Sequence, residues 1–231
     1  MVTRDSMRFA APNAVTAANI AVGFGSICAA ANERFELAVY LLLGCVMLDM
    51  MDGRVARRFN ATSEMGQQLD SLSDAISFGA APAFLVQRAL LTQMEGVGVA
   101  VSITYVLAGA FRLARFNLTA SAHDKASETC GIPIPIAAGY LMVLALMRES
   151  ITPPVAAFVV LLMAAGMSSR IRLPEVHRGG LLGFAFFVGF CSYLVVVYEP
   201  NWYTVAWWNV WNLVLIVIAR LHERRLTARE A

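Results

Sequence analysis

Apolar residues run along this chain in eight long blocks, near residues 13–31, 35–51, 69–91, 96–116, 132–147, 153–169, 180–198 and 203–219. Polar residues gather in the short stretches between them. Most blocks approach the roughly 20 residues that an α-helix needs to cross a bilayer core. None alternates apolar and polar positions as the strand of a membrane barrel would. Helices satisfy their own backbone hydrogen bonds in lipid. The pattern therefore predicts an all-α fold, a polytopic transmembrane helix bundle of about eight spans. Pro153-Pro154 separates two short blocks that read as a tight hairpin. Arg4 and Arg8 lie one turn apart beside Met7 and Phe9, so the first eleven residues are expected to form a short N-terminal interfacial helix. The bundle uses nearly all of the chain, which makes residues 1–231 a single membrane domain.

Composition agrees with lipid surroundings. Apolar residues make up 58% of the chain and charged residues 15%, against about 45–50% and about 25% in a soluble domain. The four cysteines, Cys28, Cys45, Cys130 and Cys191, are far apart and have no metal-ligand spacing, so they read as small apolar residues. The net charge of +2 says little, but its distribution says more. With eight alternating spans, fifteen of the eighteen Lys and Arg residues fall on one side, leaving Arg34, Arg88 and Arg148 on the other. Basic residues favour the cytoplasmic side. Both termini are thus expected in the cytoplasm, with the chain integral to the cytoplasmic membrane. Membrane lipids are the expected surroundings, and no nucleic-acid partner is expected. Trp202, Tyr203, Trp207 and Trp208 cluster at the outer end of the last block, as an interfacial aromatic belt would.

Charges inside membrane helices are costly and usually functional, and here they are concentrated. Asp49 and Asp52 lie three apart at the cytoplasmic end of the second block; Asp70 and Asp74 lie four apart at the start of the third. Such spacings share one helix face. Two antiparallel helices joined by a short link can aim all four carboxylates at one point. Carboxylates that close repel unless protonated or bridged by cations. Oxygen donors select Mg²⁺, Mn²⁺ or Ca²⁺ over zinc. Two metal ions about 4 Å apart are the usual arrangement for displacement at phosphorus. Gly53, Ala56 and Gly66 would let a phosphate approach the backbone closely, and Arg57 can pair with phosphate through two parallel hydrogen bonds. A cation transporter also uses membrane carboxylates, but it would carry them near mid-bilayer.

The full pattern is Asp49, Asp52-Gly53, Ala56-Arg57, Gly66, Asp70 and Asp74 at fixed spacings. It resembles, without departure, the signature of the CDP-alcohol phosphotransferase family. The resemblance implies a six-helix core, with two of the eight spans as additions, and a homodimer. It implies that Asp49, Asp52, Asp70 and Asp74 hold divalent metal, Mg²⁺ or Mn²⁺, as two ions. Asp74 would also be the general base, and Asp52, Gly53, Ala56, Arg57 and Gly66 would hold the CDP part of the donor.

Three further stretches resemble the serine-using members, the bacterial and archaeal phosphatidylserine synthases. They are Pro12-Asn13 through Thr16-Ala17-Ala18-Asn19 with Gly23-Phe24, then Phe111-Arg112-Leu113-Ala114-Arg115-Phe116-Asn117, then Gly131-Ile132-Pro133-Ile134-Pro135. CDP-diacylglycerol and L-serine are the substrates this implies. Other acceptors within the family, such as glycerol phosphate, an inositol phosphate or choline, are the alternative. A serine carboxylate needs a cation, and Arg112 and Arg115 share a face beside Asn117; cytoplasmic anchoring is the other reading of the two arginines. Asn13 and Thr16 face the same way and are assigned to the nucleotide, although Asn13 would equally serve as a helix cap. Ser71, Ser73 and Ser77 line the third helix near the aspartates, either supporting the site or packing helices.

Overall fold

The computed structural model describes the backbone of residues 4–59, 64–121, 131–170 and 180–230, and the side chains of 13–51, 65–118, 131–170 and 187–220. The described residues contain helices and no strand. In chain order these are α1 (Arg4–Ala31), α2 (Phe35–Phe59), α3 (Glu64–Asp74), α4 (Ala81–Val86), α5 (Glu95–Ser121), α6 (Ile134–Leu146), α7 (Pro153–Ser168), α8 (Gly180–Tyr198) and α9 (Trp202–Glu230). The stretches Asn13–Ala31, Met65–Leu118 and Trp202–Arg220 are long and apolar enough to cross a membrane. Ile134–Leu146, Pro153–Ser168 and Phe187–Tyr198 are shorter apolar helices. The chain divides into two compact units, residues 1–118 with 132–168, and residues 119–131 with 169–231.

Residues 4–11 do not form a helix of their own. α1 is continuous from Arg4 through Pro12 to Ala31. A proline inside a helix removes one hydrogen bond and strains a turn, but need not end it. At the other end of α1 the chain reverses within three residues. Glu33 takes a left-handed φ of 60°, and the N–H groups of Glu33 and Arg34 cap the carbonyls of Ala30 and Ala29. This αL ending satisfies carbonyls the helix would otherwise leave open. The α1–α2 hairpin is then fixed by polar contacts inside an apolar seam. Ser26 Oγ donates to Ala38 O at 2.9 Å, and Cys45 Sγ donates to Asn19 O at 3.6 Å. The residue numbers of each pair change in opposite directions, as antiparallel helices require.

α3 and α4 form one helical run joined by a π-helical stretch, Ala75–Ala80, which begins at the residue after Asp74. A second π stretch (Gln87–Leu91) and a 3₁₀ turn (Thr92–Met94) lead into α5. α5 folds back along this run: Asn117 meets Ser71 and Tyr105 meets Phe78. Pro82 explains the second contact. It has no N–H, so a carbonyl one turn earlier loses its helical partner. The hydroxyl of Tyr105, fully buried, donates to Phe78 O at 3.1 Å. Packing between α1 and the π stretch is closer still. A Cβ on Gly23 would lie 2.5 Å from Ser77 Oγ and 3.1 Å from its Cα, so only glycine fits there.

The Gly131-Ile132-Pro133-Ile134-Pro135 segment enters α6. Gly131 has a φ of 81°, open to glycine at little cost. Ile132 N–H donates to Gly166 O at 3.0 Å, tying the start of the segment to α7. Pro135 sits in the first turn of α6, where a missing N–H costs nothing. In the second unit, Asn201 Oδ1 accepts from the N–H groups of Tyr203 and Thr204 and caps α9. Trp202, Tyr203 and Trp207 are exposed, whereas Trp208 is buried against Tyr193 with ring centroids 5.0 Å apart. The expected aromatic belt therefore loses one member to packing.

Replacing Tyr105 by Phe removes the buried hydroxyl from which the Phe78 carbonyl accepts. We expect a loss of about 1–3 kcal/mol, read as a lower unfolding midpoint of the detergent-purified protein, with divalent-cation binding retained.

Candidate active site

The face rule for residues four apart holds for Asp70 and Asp74 on α3. Asp49 on α2 and Asp70 and Asp74 on α3 are each half-buried, and one carboxylate oxygen from each lies within 4.8 Å of the others. Full charges at that separation repel by at least about 3 kcal/mol per pair at an effective dielectric near 20. The cluster therefore needs positive charge. Its donor atoms are all hard oxygens, with no thiolate or imidazole among them, and they fit Mg²⁺ or Mn²⁺. The sequence adds Asp52 one turn from Asp49 on α2. The side chains of Asp52, Gly53, Ala56 and Arg57 lie outside the described residues. Gly66, half-buried, lies one turn before Asp70.

The two arginines expected to act together do different things. Arg112 is half-buried, and its guanidinium lies within electrostatic reach of Asp74 and of Arg115. Its Nε–H has no hydrogen-bond acceptor among the described residues. Arg115 donates to the carbonyls of Met167 at 3.2 Å and Ser168 at 3.4 Å. Those carbonyls end α7, where a cation satisfies open acceptors and complements the helix dipole. Arg115 thus has a structural duty at the end of α7, and Arg112 lies in electrostatic reach of Asp74. Asn117 Nδ2 donates to Ser71 Oγ at 3.0 Å, and Ser71 Oγ lies 3.1 Å from Asn117 Oδ1. This pair ties α5 to α3 at the residue next to Asp70.

On α1, Asn13 is half-buried and Thr16 is buried. One turn deeper comes a residue that spacing did not single out as a site residue. Asn19 is 1% exposed, and neither polar atom of its side chain has a hydrogen-bond partner among the described residues. The available signal was the recurrence of Thr16, Asn19, Gly23 and Ser26 at helical spacing, a small and polar stripe within an apolar helix. The three serines of the third helix part ways. Ser71 bonds Asn117, Ser77 Oγ donates to Asn19 O at 3.2 Å, and Ser73, fully buried, has no partner for its hydroxyl among the described residues.

Residues 9–169 match the family model described as CDP-alcohol phosphatidyltransferase. A CDP-diacylglycerol–serine O-phosphatidyltransferase of Helicobacter pylori is 38% identical over 173 residues, covering 72% of this chain and 73% of that protein. The Bacillus subtilis protein of the same description is 31% identical over 167 residues, covering 72% of this chain and 91% of its own length. An archaetidylserine synthase of Methanothermobacter thermautotrophicus is 32% identical over 173 residues, covering 74% of this chain and 72% of that protein. The converging aspartates are those of the motif, and the match runs through most of the chain, so this protein belongs to the CDP-alcohol phosphatidyltransferase family.

Proposed function

We propose that this protein transfers the phosphatidyl group of CDP-diacylglycerol to the hydroxyl of L-serine, releasing CMP and forming phosphatidylserine. The observation that carries the reading is the meeting of Asp49, Asp70 and Asp74, with Arg112 in electrostatic reach of Asp74. The relatives support serine as the acceptor, since two of those named above are serine phosphatidyltransferases.

In this reading the oxygen of serine attacks the phosphorus that bears the diacylglycerol. A P–O bond forms to serine, and the P–O bond to CMP breaks. Asp74 takes the proton of the attacking hydroxyl, which requires hydrogen-bond reach. Asp49, Asp52, Asp70 and Asp74 would hold divalent metal, Mg²⁺ or Mn²⁺ as two ions, which when bound would neutralise charge on the diphosphate and on departing CMP. Asn13, Thr16, Asp52, Gly53, Ala56, Arg57 and Gly66 hold the CDP part. Arg112 receives the carboxylate of serine. Arg115 and Asn117 fix the end of α5 that carries Arg112, through their bonds to α7 and α3.

The same reading gives eight spans in one membrane domain over residues 1–231. Six of them lie within the family match at residues 9–169, and α8 and α9 follow it. The active site and both termini face the cytoplasm. Two of the three basic residues assigned to the outer side are paired with acids: Arg148 with Glu36 at 2.8 Å and Arg88 with Glu33 at 3.4 Å. The protein acts as a homodimer.

The purified protein, given CDP-diacylglycerol and Mn²⁺ or Mg²⁺, should release CMP with L-serine and not with glycerol phosphate, inositol phosphate or choline. Release with one of those and not with serine would sink the acceptor assignment. Asp74→Asn should lower kcat by about 10²–10⁴-fold, the usual worth of a positioned general base; normal turnover would remove Asp74 from that role. Arg112→Ala should raise the KM for serine by about ten-fold or more, the scale of a charge-assisted hydrogen bond. Arg115→Ala should instead lower the unfolding midpoint and leave the serine KM within about two-fold, because it acts on the end of α7.

A further inference from the structure

The buried amide of Asn19 and the buried hydroxyl of Ser73 are costly as they stand. A polar group taken out of water without a partner costs on the order of 1–3 kcal/mol in a protein interior, and lipid surroundings offer no substitute. Asn19 is 1% exposed and Ser73 0% exposed, and their side-chain polar atoms find no acceptor or donor among the described residues. A chain that packs Cys45 and Ser77 onto the backbone carbonyl of Asn19, yet leaves its amide open, holds that amide for something else.

Its direction is set by the helices. Side chains on an α-helix lean toward the helix N-terminus. α1 and α3 run the same way, since Asn19 and Gly23 meet Ser77 while Ile27, further along α1, lines a cavity with Ala80 and Ala83. Asn19 and Ser73 therefore both lean toward the end of the bundle that carries Asp70. α2 runs the other way, so Asp49 leans back toward Cys45, whose thiol already touches Asn19 O at 3.6 Å. Asp49, Asn19 and Ser73, the last adjacent in sequence to Asp74, converge on one level.

We infer that Asn19 and Ser73 are positioning residues of the cation site, which hold the water molecules completing the oxygen shell of the ion bound by Asp49, Asp70 and Asp74. This rests on the cation reading given under Proposed function. Mg²⁺ and Mn²⁺ favour about six oxygen ligands, and Mg²⁺ in particular keeps several waters. Three carboxylates supplying one oxygen each leave positions for such waters. On the buried side of the cluster only protein can accept their hydrogen bonds. By the lean of their helices, the amide oxygen of Asn19 and the hydroxyl of Ser73 are acceptors directed to that level, and outer partners of this kind orient what the metal binds directly. Both side chains are then satisfied when the ion is bound and unsatisfied when it is not, which couples them to metal affinity rather than to folding.

The test is Mn²⁺ binding by the full chain in lipid nanodiscs, read from the electron paramagnetic resonance signal of free Mn²⁺, together with the unfolding midpoint in a chelator. Asn19→Leu and Ser73→Ala should each weaken Mn²⁺ binding by roughly ten- to hundred-fold. Their metal-free midpoints should stay equal to or above that of the wild type, because each change removes an unsatisfied buried group. Variants that bind Mn²⁺ as tightly as the wild type would overturn the inference. So would a lower metal-free midpoint with unchanged affinity, since that is the mark of a packing role. A wild-type protein that takes up no Mn²⁺ would instead remove the cation site itself, and this inference with it.

Discussion

Repulsion among three carboxylates is the constraint around which the first compact unit is organised. Asp49, Asp70 and Asp74 lie too close to remain charged without compensation. Holding them together takes a rigid frame, and the frame is visible in the contacts behind them. Ser26 with Ala38 and Cys45 with Asn19 lock α1 to α2, Ser77 locks the π stretch to α1, and Asn117 locks α5 to α3. Each is a small polar contact within apolar surroundings, where lipid offers no competing partner. Helix association of this kind depends on close approach, and Gly23 against Ser77 is one instance.

Much of this was legible in the sequence because two signals were strong. Apolar runs of membrane length mark helices almost by themselves, and the ends read from them fall within a few residues of α6 and α7. Aspartates three and four apart on two neighbouring helices point to a shared site without any knowledge of the packing. Two features were not legible, for a common reason. Arg112 and Arg115 share a face by spacing, but spacing cannot say that α7 ends beside Arg115. Asn19 looks like any polar residue in a helix until α2 and the π stretch close around it. In both cases the missing information is which element stands opposite. The continuity of α1 across Pro12 also runs against the local reading of proline as a helix start.

The family match ends at residue 169, at the close of α7, while α8 and α9 continue beyond it. These later helices have their own internal order, with an Asn201 cap and a Tyr193–Trp208 stack. No residue of theirs enters the chemistry proposed above. The catalytic assignment therefore stands on the first compact unit alone, where the aspartate motif and the family match coincide.

The π-helical stretch that begins right after Asp74 has a consequence for the whole third helix. Each residue turns the chain by about 100° around the helix axis, so a wider turn that takes in an extra residue shifts the angular phase of everything beyond it. The half before this stretch can present its aspartates to α2, while the half beyond it turns a differently chosen side toward α1 and α6. One helix thereby keeps two independent facings, and changes to the half beyond the stretch can accumulate without rotating the carboxylates out of alignment.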